Sequence, residues 1–159
     1  MFNNKPTLIV LILIFVAAFL WFRSGETKAE ELTGAFELGA TITSAEFNGG
    51  YGLVYTERVA DVWDIGLQLM SDQQFEDKDI GNNGGFMVQR IVERGKWEMG
   101  LGGSYWIETS NVIGCHTAFA MNIKYKISRH WEATWRHWSN AGICEHNKGQ
   151  DLLTIGWRF

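Results

Sequence analysis

The amino-acid sequence predicts an all-β fold, an eight-stranded antiparallel transmembrane β-barrel of the outer-membrane type, preceded by an N-terminal signal segment. Three observations predict it. Segments of alternating apolar and polar residues recur through the chain. The connections between them alternate between tight turns and longer loops, as in outer-membrane barrels. The N-terminus is charged, then apolar, then polar, which is the order of an export signal.

The signal segment is predicted over residues 1–29. Lys5 supplies a positive charge, the run from Thr7 to Phe22 carries none, and a short polar stretch ends at the small residue Ala29. This order favours a secretory signal peptide that is cleaved after Ala29. A retained signal-anchor helix is the alternative, although the apolar run is shorter than the ~20 residues that span a bilayer comfortably. Residues 30–159 then form the mature barrel domain.

Eight strands are predicted in the mature domain. They lie near residues 33–43, 50–59, 62–72, 84–94, 96–108, 115–127, 130–140 and 151–159. Tight turns fall at residues 60–61, 95 and 128–129, and the other connections are longer loops. In outer-membrane barrels the short turns face the periplasm, so the longer loops are expected outside the cell.

Within these strands one face is apolar and aromatic, and the other is small and polar. A soluble β-sandwich would show the same alternation. The export signal, the aromatic residues near strand ends and the glycines on the polar face favour a membrane barrel with the polar face inside. The fourth strand fits least well, because Arg90 and Arg94 share their parity with Val88 and Val92. Inward residues such as Lys124 predict a packed polar interior and not a channel.

Composition excludes several function classes. Residues 30–159 keep 11 of the 14 Lys and Arg residues and 17 of the 18 Asp and Glu residues, so their net charge is −6. That balance argues against nucleic acid as a partner. No histidine or cysteine spacing suggests a metal site, and no cofactor is predicted. Cys115 and Cys144 fit an oxidising compartment, where a disulfide between them would staple the last long loop to the sixth strand. Two reduced cysteines are the alternative.

The densest group of reactive residues lies near the C-terminus. In the predicted seventh strand His137 and Ser139 fall on the odd face, which alternation assigns to lipid. Polar groups facing hydrocarbon are costly, so a polar pair there suggests a function. Asp151 begins the eighth strand with the same outward parity. The three side chains are therefore expected to converge at the loop end of one hairpin.

Together these residue types form a hydrolytic triad. A serine hydroxyl is unreactive at neutral pH unless a neighbouring imidazole accepts its proton. We assign Ser139 as the nucleophile, His137 as the general base and Asp151 as the acid that orients the imidazole. The side-chain amide of Asn140 and the backbone N–H of Gly142 are candidate oxyanion-hole donors. The structural alternative is that the polar pair only meets lipid headgroups and that the acid only caps the loop.

The stretch HWSNAG, followed by an acid twelve residues after its serine, resembles the PagL family of lipid A 3-O-deacylases. The matching residues are His137, Ser139, Asn140, Ala141 and Gly142, with Asn147 and Gly149 similar to the family's N-x-G loop. The resemblance implies an eight-stranded outer-membrane barrel that hydrolyses the ester-linked 3-hydroxyacyl chain at position 3 of lipid A, with the roles given above. The family commonly has glutamate where this chain has Asp151. The other acid of the segment, Glu145, lies in the loop, and Asp151 is the favoured residue.

The leading hypothesis is therefore a serine carboxylic-ester hydrolase of the Gram-negative outer membrane, acting on lipid A of lipopolysaccharide in the outer leaflet without a cofactor. One alternative is a non-enzymatic small barrel with a structural or adhesion role. Another is an esterase for a different membrane lipid, such as a phospholipid, which would share the triad and differ in its pocket. A homodimer is compatible with the sequence.

Overall fold

The computed structural model describes residues 33–43, 46–60, 62–75, 78–109, 114–144 and 149–159. The predicted signal segment and its cleavage position lie outside the described residues, as do Glu145 and Asn147. No helix in these described ranges is long and apolar enough to cross a membrane.

Ten strands form in the described part of the chain. They are β1 (Gly34–Thr43), β2 (Glu46–Val59), β3 (Trp63–Met70), β4 (Gln73–Phe75), β5 (Lys78–Ile80), β6 (Asn83–Arg94), β7 (Trp97–Trp106), β8 (Thr117–Lys126), β9 (Trp131–Ser139) and β10 (Gln150–Arg158). All except β4 and β5 close into one antiparallel barrel, in the order β1-β10-β9-β8-β7-β6-β3-β2. The predicted eight-stranded antiparallel barrel is confirmed.

Two features of the loop end differ from the sequence prediction. Where the sequence predicts an irregular loop, β4 and β5 form a short hairpin that pairs Gln73 with Ile80. Strand β2 begins four residues earlier than predicted, because Phe47 pairs with Ile42 beyond a register shift in β1. Backbone pairing holds both the short hairpin and the early start of β2. The sequence prediction relied on alternating side chains, and these charged or glycine-rich stretches lack that alternation.

Side chains alternate between the outside and the inside of the barrel. In β3, Asp64 and Gln68 are buried, whereas Trp63, Ile65 and Leu67 are exposed. Strand β6 follows the same rule, so its two arginines lie outside with its aliphatic residues. The predicted assignment of the apolar face to the outside is therefore correct for these strands. An apolar outer surface is what a barrel presents to hydrocarbon.

Aromatic side chains pair on the outside of the barrel at the turn end. Trp131 packs edge-on against Trp157 with ring centroids 5.0 Å apart, and Trp97 lies 4.8 Å from Tyr125. Such rings sit at the level of lipid headgroups in outer-membrane barrels. These pairs therefore mark one membrane interface, which lies at the opposite end of β9 from Ser139.

The interior near the turn end is filled by paired charges. The Lys124 ammonium lies 3.5–3.8 Å from four carboxylates, those of Glu37, Asp64, Glu98 and Glu132. Arg136 also bonds Glu37, with Nε donating to Oε2 at 3.0 Å. Burying charges is costly unless each has a partner of opposite sign. The network meets that requirement and packs the lumen, in line with the packed polar interior that the inward Lys124 predicts.

The interior near the loop end contains an apolar cluster, which alternation along single strands does not predict. This second layer consists of Val54, Met70, Met87, Trp106, Ala118, Ala120, Trp138 and Leu152. Trp106 and Trp138 meet edge to face with ring centroids 5.5 Å apart. Alternation places each of these residues inside, but it does not show that they share one level of the barrel. From inside the barrel, this layer packs against β9, the strand that carries His137 and Ser139.

Replacing Arg136 with methionine is expected to lower the free energy of unfolding by about 3 kcal/mol, because the fully buried Glu37 loses its closest cationic partner. The measurement is urea unfolding in phospholipid vesicles, followed by tryptophan fluorescence. The double variant Glu37→Gln with Arg136→Met removes both charges and should be more stable than the single variant. A single variant as stable as the wild type would show that the pair contributes little.

Candidate active site

The polar cluster lies at the loop end of the hairpin formed by β9 and β10. Ser139 is the last residue of β9, and His137 stands two residues before it on the same outward face. The strand register places Asp151 of β10 directly opposite His137. On the other side, β8 places Phe119 opposite Ser139 and Met121 opposite His137. The closed barrel thus presents all three polar residues on one outer surface.

The imidazole of His137 is held by the carboxylate of Asp151. Nδ1 of His137 lies 2.9 Å from Oδ1 of Asp151, which is a hydrogen-bond distance. The two side chains are 32% and 22% exposed, so the pair is partly shielded by its neighbours. When Nδ1 carries the proton that binds the carboxylate, Nε2 is left as a proton acceptor. This arrangement is the one that a general base requires.

Gly149 determines where the free edge of that imidazole can lie. A Cβ atom built on Gly149 would stand 2.8 Å from Cε1 and 3.4 Å from Nε2 of His137. Gln150, the residue after Gly149, pairs with Trp138, the residue before Ser139. Gly149 therefore lies level with Ser139. The ring therefore occupies the space that a side chain would fill beside Ser139. Gly149 also has φ +68°, a left-handed conformation that glycine adopts readily.

An aromatic ring stacks against the imidazole of His137 on the outer surface of β9. Trp135 precedes His137 by two residues on the outward face, and the two rings stack at 5.9 Å with an interplanar angle of 23°. The stack and the carboxylate contact the imidazole from different directions, so together they limit its rotation. Sequence reasoning selected Ser139, His137 and Asp151 but did not place Trp135 or Gly149 beside the imidazole. The same-face spacing of Trp135 is a signal that could have predicted its contact. Gly149 was singled out only for its similarity to the family's N-x-G loop, and nothing in the sequence predicted that it contacts His137.

The turn after β9 is tight and left-handed. Ala141 has φ +52° and Gly142 has φ +77°. The Ala141 N–H donates to Oγ of Ser139 at 3.1 Å, and the Gly142 N–H donates to Oδ1 of Asn140 at 2.9 Å. Asn140 is buried, with 1% of its surface exposed. In this state the Gly142 N–H is bound to Asn140, and the N–H that contacts the serine oxygen belongs to Ala141, a donor that sequence reasoning missed.

The segment after this turn is tied to the neighbouring strand. Cys144 is joined by a disulfide to Cys115, just before β8, with the two Cα atoms 5.9 Å apart. A covalent link across 29 residues of sequence restrains the chain on both sides of Ser139. Across the described residues, no group of three or more His, Cys, Asp or Glu side chains is arranged to hold a metal ion.

Fold and site together define a class, the small eight-stranded barrels that carry polar residues on their outer surface near the loops. Comparison with known families identifies the family within this class. The model of the family described as lipid A 3-O-deacylase (PagL) matches residues 44–159. The chain belongs to the PagL family. It is therefore an outer-membrane β-barrel of a hydrolase family that deacylates lipid A.

The chain is also similar to solved structures. The chain is similar to a crystal structure described as that of the outer membrane enzyme PagL, with 12% identity, a TM-score of 0.52 and coverage of 79% of this chain and 97% of that one. Ail, the attachment invasion locus protein of Yersinia pestis, matches with 11% identity and a TM-score of 0.46, covering 82% of this chain and 100% of Ail. The comparison with curated proteins gave no match.

Proposed function

We propose that this protein is a serine esterase that removes the 3-hydroxyacyl chain from position 3 of lipid A, with Ser139, His137 and Asp151 as its catalytic triad. The observation that carries the proposal is the position of the imidazole. Its Nδ1 faces the Asp151 carboxylate at 2.9 Å, and its opposite edge occupies the space over Gly149, level with Ser139. A base held in this way has its accepting nitrogen directed towards the serine end of the strand.

The first half of the reaction forms an acyl-enzyme. Nε2 of His137 accepts the Ser139 proton as Oγ attacks the ester carbonyl carbon. The tetrahedral intermediate collapses by breaking the bond to the sugar oxygen, and the imidazolium protonates that oxygen to release the 3-hydroxyl of the sugar. Asp151 stabilises the imidazolium while it carries the extra proton. The fatty acyl chain remains on Ser139.

Water completes the cycle in the second half. His137 removes a proton from a water molecule, which attacks the acyl-serine carbonyl carbon, and the free 3-hydroxy fatty acid leaves as Ser139 regains its proton. Both intermediates carry a negative oxygen that needs hydrogen-bond donors. The Ala141 N–H donates to Oγ of Ser139 at 3.1 Å and so lies beside the reacting atom, which makes it a further candidate donor. The Gly142 N–H can contribute only if its bond to Oδ1 of Asn140 opens when substrate binds, whereas the Asn140 amide would donate from Nδ2, which that bond does not use.

The surroundings of the triad suit a lipid substrate. Outward side chains flank the polar cluster on both neighbouring strands, with Phe119 and Met121 on β8 and Leu153 on β10. Phe119 and Leu153 are 53% and 48% exposed and so offer an apolar surface to an acyl chain. The site opens to the membrane, so substrate reaches it by lateral diffusion. Lipid A in the outer leaflet presents its acyl esters just below the headgroups, near the loop end of the barrel.

The test is mass spectrometry of lipid A from a Gram-negative host that expresses the wild type or Ser139→Ala. Wild-type protein is expected to remove one 3-hydroxyacyl chain, and Ser139→Ala should leave lipid A intact because its methyl group cannot attack the ester. Both proteins must first show the heat-modifiable electrophoretic mobility of a folded barrel. Ser128→Ala, in the turn between β8 and β9, is the matched control and should behave as the wild type.

Two results would contradict the proposal. An unchanged lipid A profile from folded wild-type protein would exclude lipid A as the substrate under these conditions. Cleavage of added phospholipid by the same protein, lost in Ser139→Ala, would then assign the triad to another lipid. Full deacylation by Ser139→Ala would show that Ser139 is not the nucleophile.

A further inference from the structure

A cationic feature lies on the outside of β6, towards the turn end of the barrel. Arg90 and Arg94 face outwards on a strand whose other outward residues include Phe86, Val88 and Val92, each 43–67% exposed. Among the described residues, neither guanidinium forms a hydrogen bond or an ion pair. A charged side chain that faces lipid is costly at the bilayer centre and is tolerated near the headgroups. Any partner of these two arginines therefore comes from outside the described residues.

The barrel leaves a notch beside these arginines. Trp63, the first residue of β3, pairs with Arg90, and the N–H of Ile91 donates to Val62 O at 2.7 Å. Beyond that point, among the residues that the structure describes, β6 pairs only with β7, where Arg94 faces Trp97. The tip of the β6–β7 hairpin thus projects past the start of β3. We call the surface made by Trp63, Arg90, Arg94 and Trp97 the basic notch.

The depth of the basic notch corresponds to lipid headgroups. Trp63 and Trp97 are 41% and 55% exposed, and Trp97 packs against Tyr125 in the aromatic pairs at the turn end. Tryptophan favours the membrane interface, where its ring is apolar and its N–H remains wet. Short turns face the periplasm in barrels of this class. The basic notch therefore meets the inner, phospholipid leaflet and lies at the far end of the barrel from Ser139.

We propose that the basic notch is a binding site for an anionic phospholipid of the inner leaflet. The planar guanidinium groups of Arg90 and Arg94 donate pairs of hydrogen bonds to phosphate oxygens, a geometry that arginine matches well. The rings of Trp63 and Trp97 pack against the glycerol and upper acyl groups. A zwitterionic lipid carries its own cation beside the phosphate, whereas a lipid with net negative charge leaves both arginines fully engaged.

Native mass spectrometry of the purified protein tests the proposal. The protein is presented with equal amounts of phosphatidylglycerol and phosphatidylcholine that have the same acyl chains. The wild type is expected to retain phosphatidylglycerol about tenfold more strongly, and Arg90→Gln with Arg94→Gln should abolish this preference. Arg129→Gln, which removes an exposed cation from the turn between β8 and β9, is the matched control and should keep it.

Two controls test whether the lipid preference is electrostatic and whether the variants are folded. The preference of the wild type should fall between about 0.05 M and 0.5 M salt, because ions screen exposed charges. If the double variant lacks the electrophoretic mobility of a folded barrel, the single variant Arg94→Gln replaces it. This variant should show a weaker preference for phosphatidylglycerol than the wild type, and the salt dependence of the wild type remains the second test. Equal retention of both lipids by the wild type would overturn the proposal. So would a preference for phosphatidylglycerol that survives the double substitution in folded protein.

Discussion

Replacing His137 with asparagine is expected to lower the rate of lipid A deacylation by at least about a thousandfold, since the serine loses the base that accepts its proton. Asparagine keeps a polar side chain of similar size at a half-exposed position, so the barrel should fold normally. Release of 3-hydroxy fatty acid from purified lipopolysaccharide measures the rate, and heat-modifiable mobility measures folding. A variant that retains wild-type activity would exclude His137 as the base. One that fails to fold would show a structural role for this residue.

Asp151→Asn is the companion to that variant. It keeps the size of the side chain that lies 2.9 Å from Nδ1 of His137, but it removes the charge that stabilises the imidazolium. We expect a smaller loss than in His137→Asn. Asp151→Glu restores a carboxylate, with one more methylene, and should retain more activity than Asp151→Asn. If Asp151→Asn is fully active, the orienting acid lies elsewhere, and Glu145 becomes the candidate.

Gly149→Ala is expected to lower kcat by about a hundredfold although it removes no polar group. The new methyl carbon would stand 2.8 Å from Cε1 of His137, closer than two carbon atoms can approach, so the ring must move away from Ser139. A displacement of about 1 Å in a catalytic group can reduce the rate by that factor. The effect should appear mainly in kcat, because the apolar surface that meets the acyl chain is unchanged.

Gly95→Ala is the matched control for this effect. Gly95 also has a positive φ, +62°, in the turn between β6 and β7, but a Cβ atom there would meet nothing within 4 Å. Both variants incur the cost of alanine in a left-handed conformation, about 1–2 kcal/mol, and only Gly149→Ala touches His137. Equal activity in the two variants would show that backbone strain, and not the imidazole contact, explains any loss.

Sequence alone was sufficient for the number of barrel strands and for the face on which each residue lies. The reason is that side chains of a strand point alternately to opposite faces, so parity decides between lipid and lumen. Parity correctly placed Trp63 outside and Asp64 inside β3. It also placed Ser139, His137 and Asp151 on one outer surface, and the short match around Ser139 indicated the family that the comparison of residues 44–159 shows.

The tertiary structure alone decided how residues far apart in sequence meet. Parity repeats every two residues and therefore leaves the register between strands open, and only the folded barrel fixes it. That register sets Asp151 opposite His137 and sets Gly149 level with Ser139. It also gathers Trp106 and Trp138 into one interior layer and leaves the notch between β3 and β6. Contacts of this kind depend on pairing across the whole sheet, which no local stretch of sequence encodes.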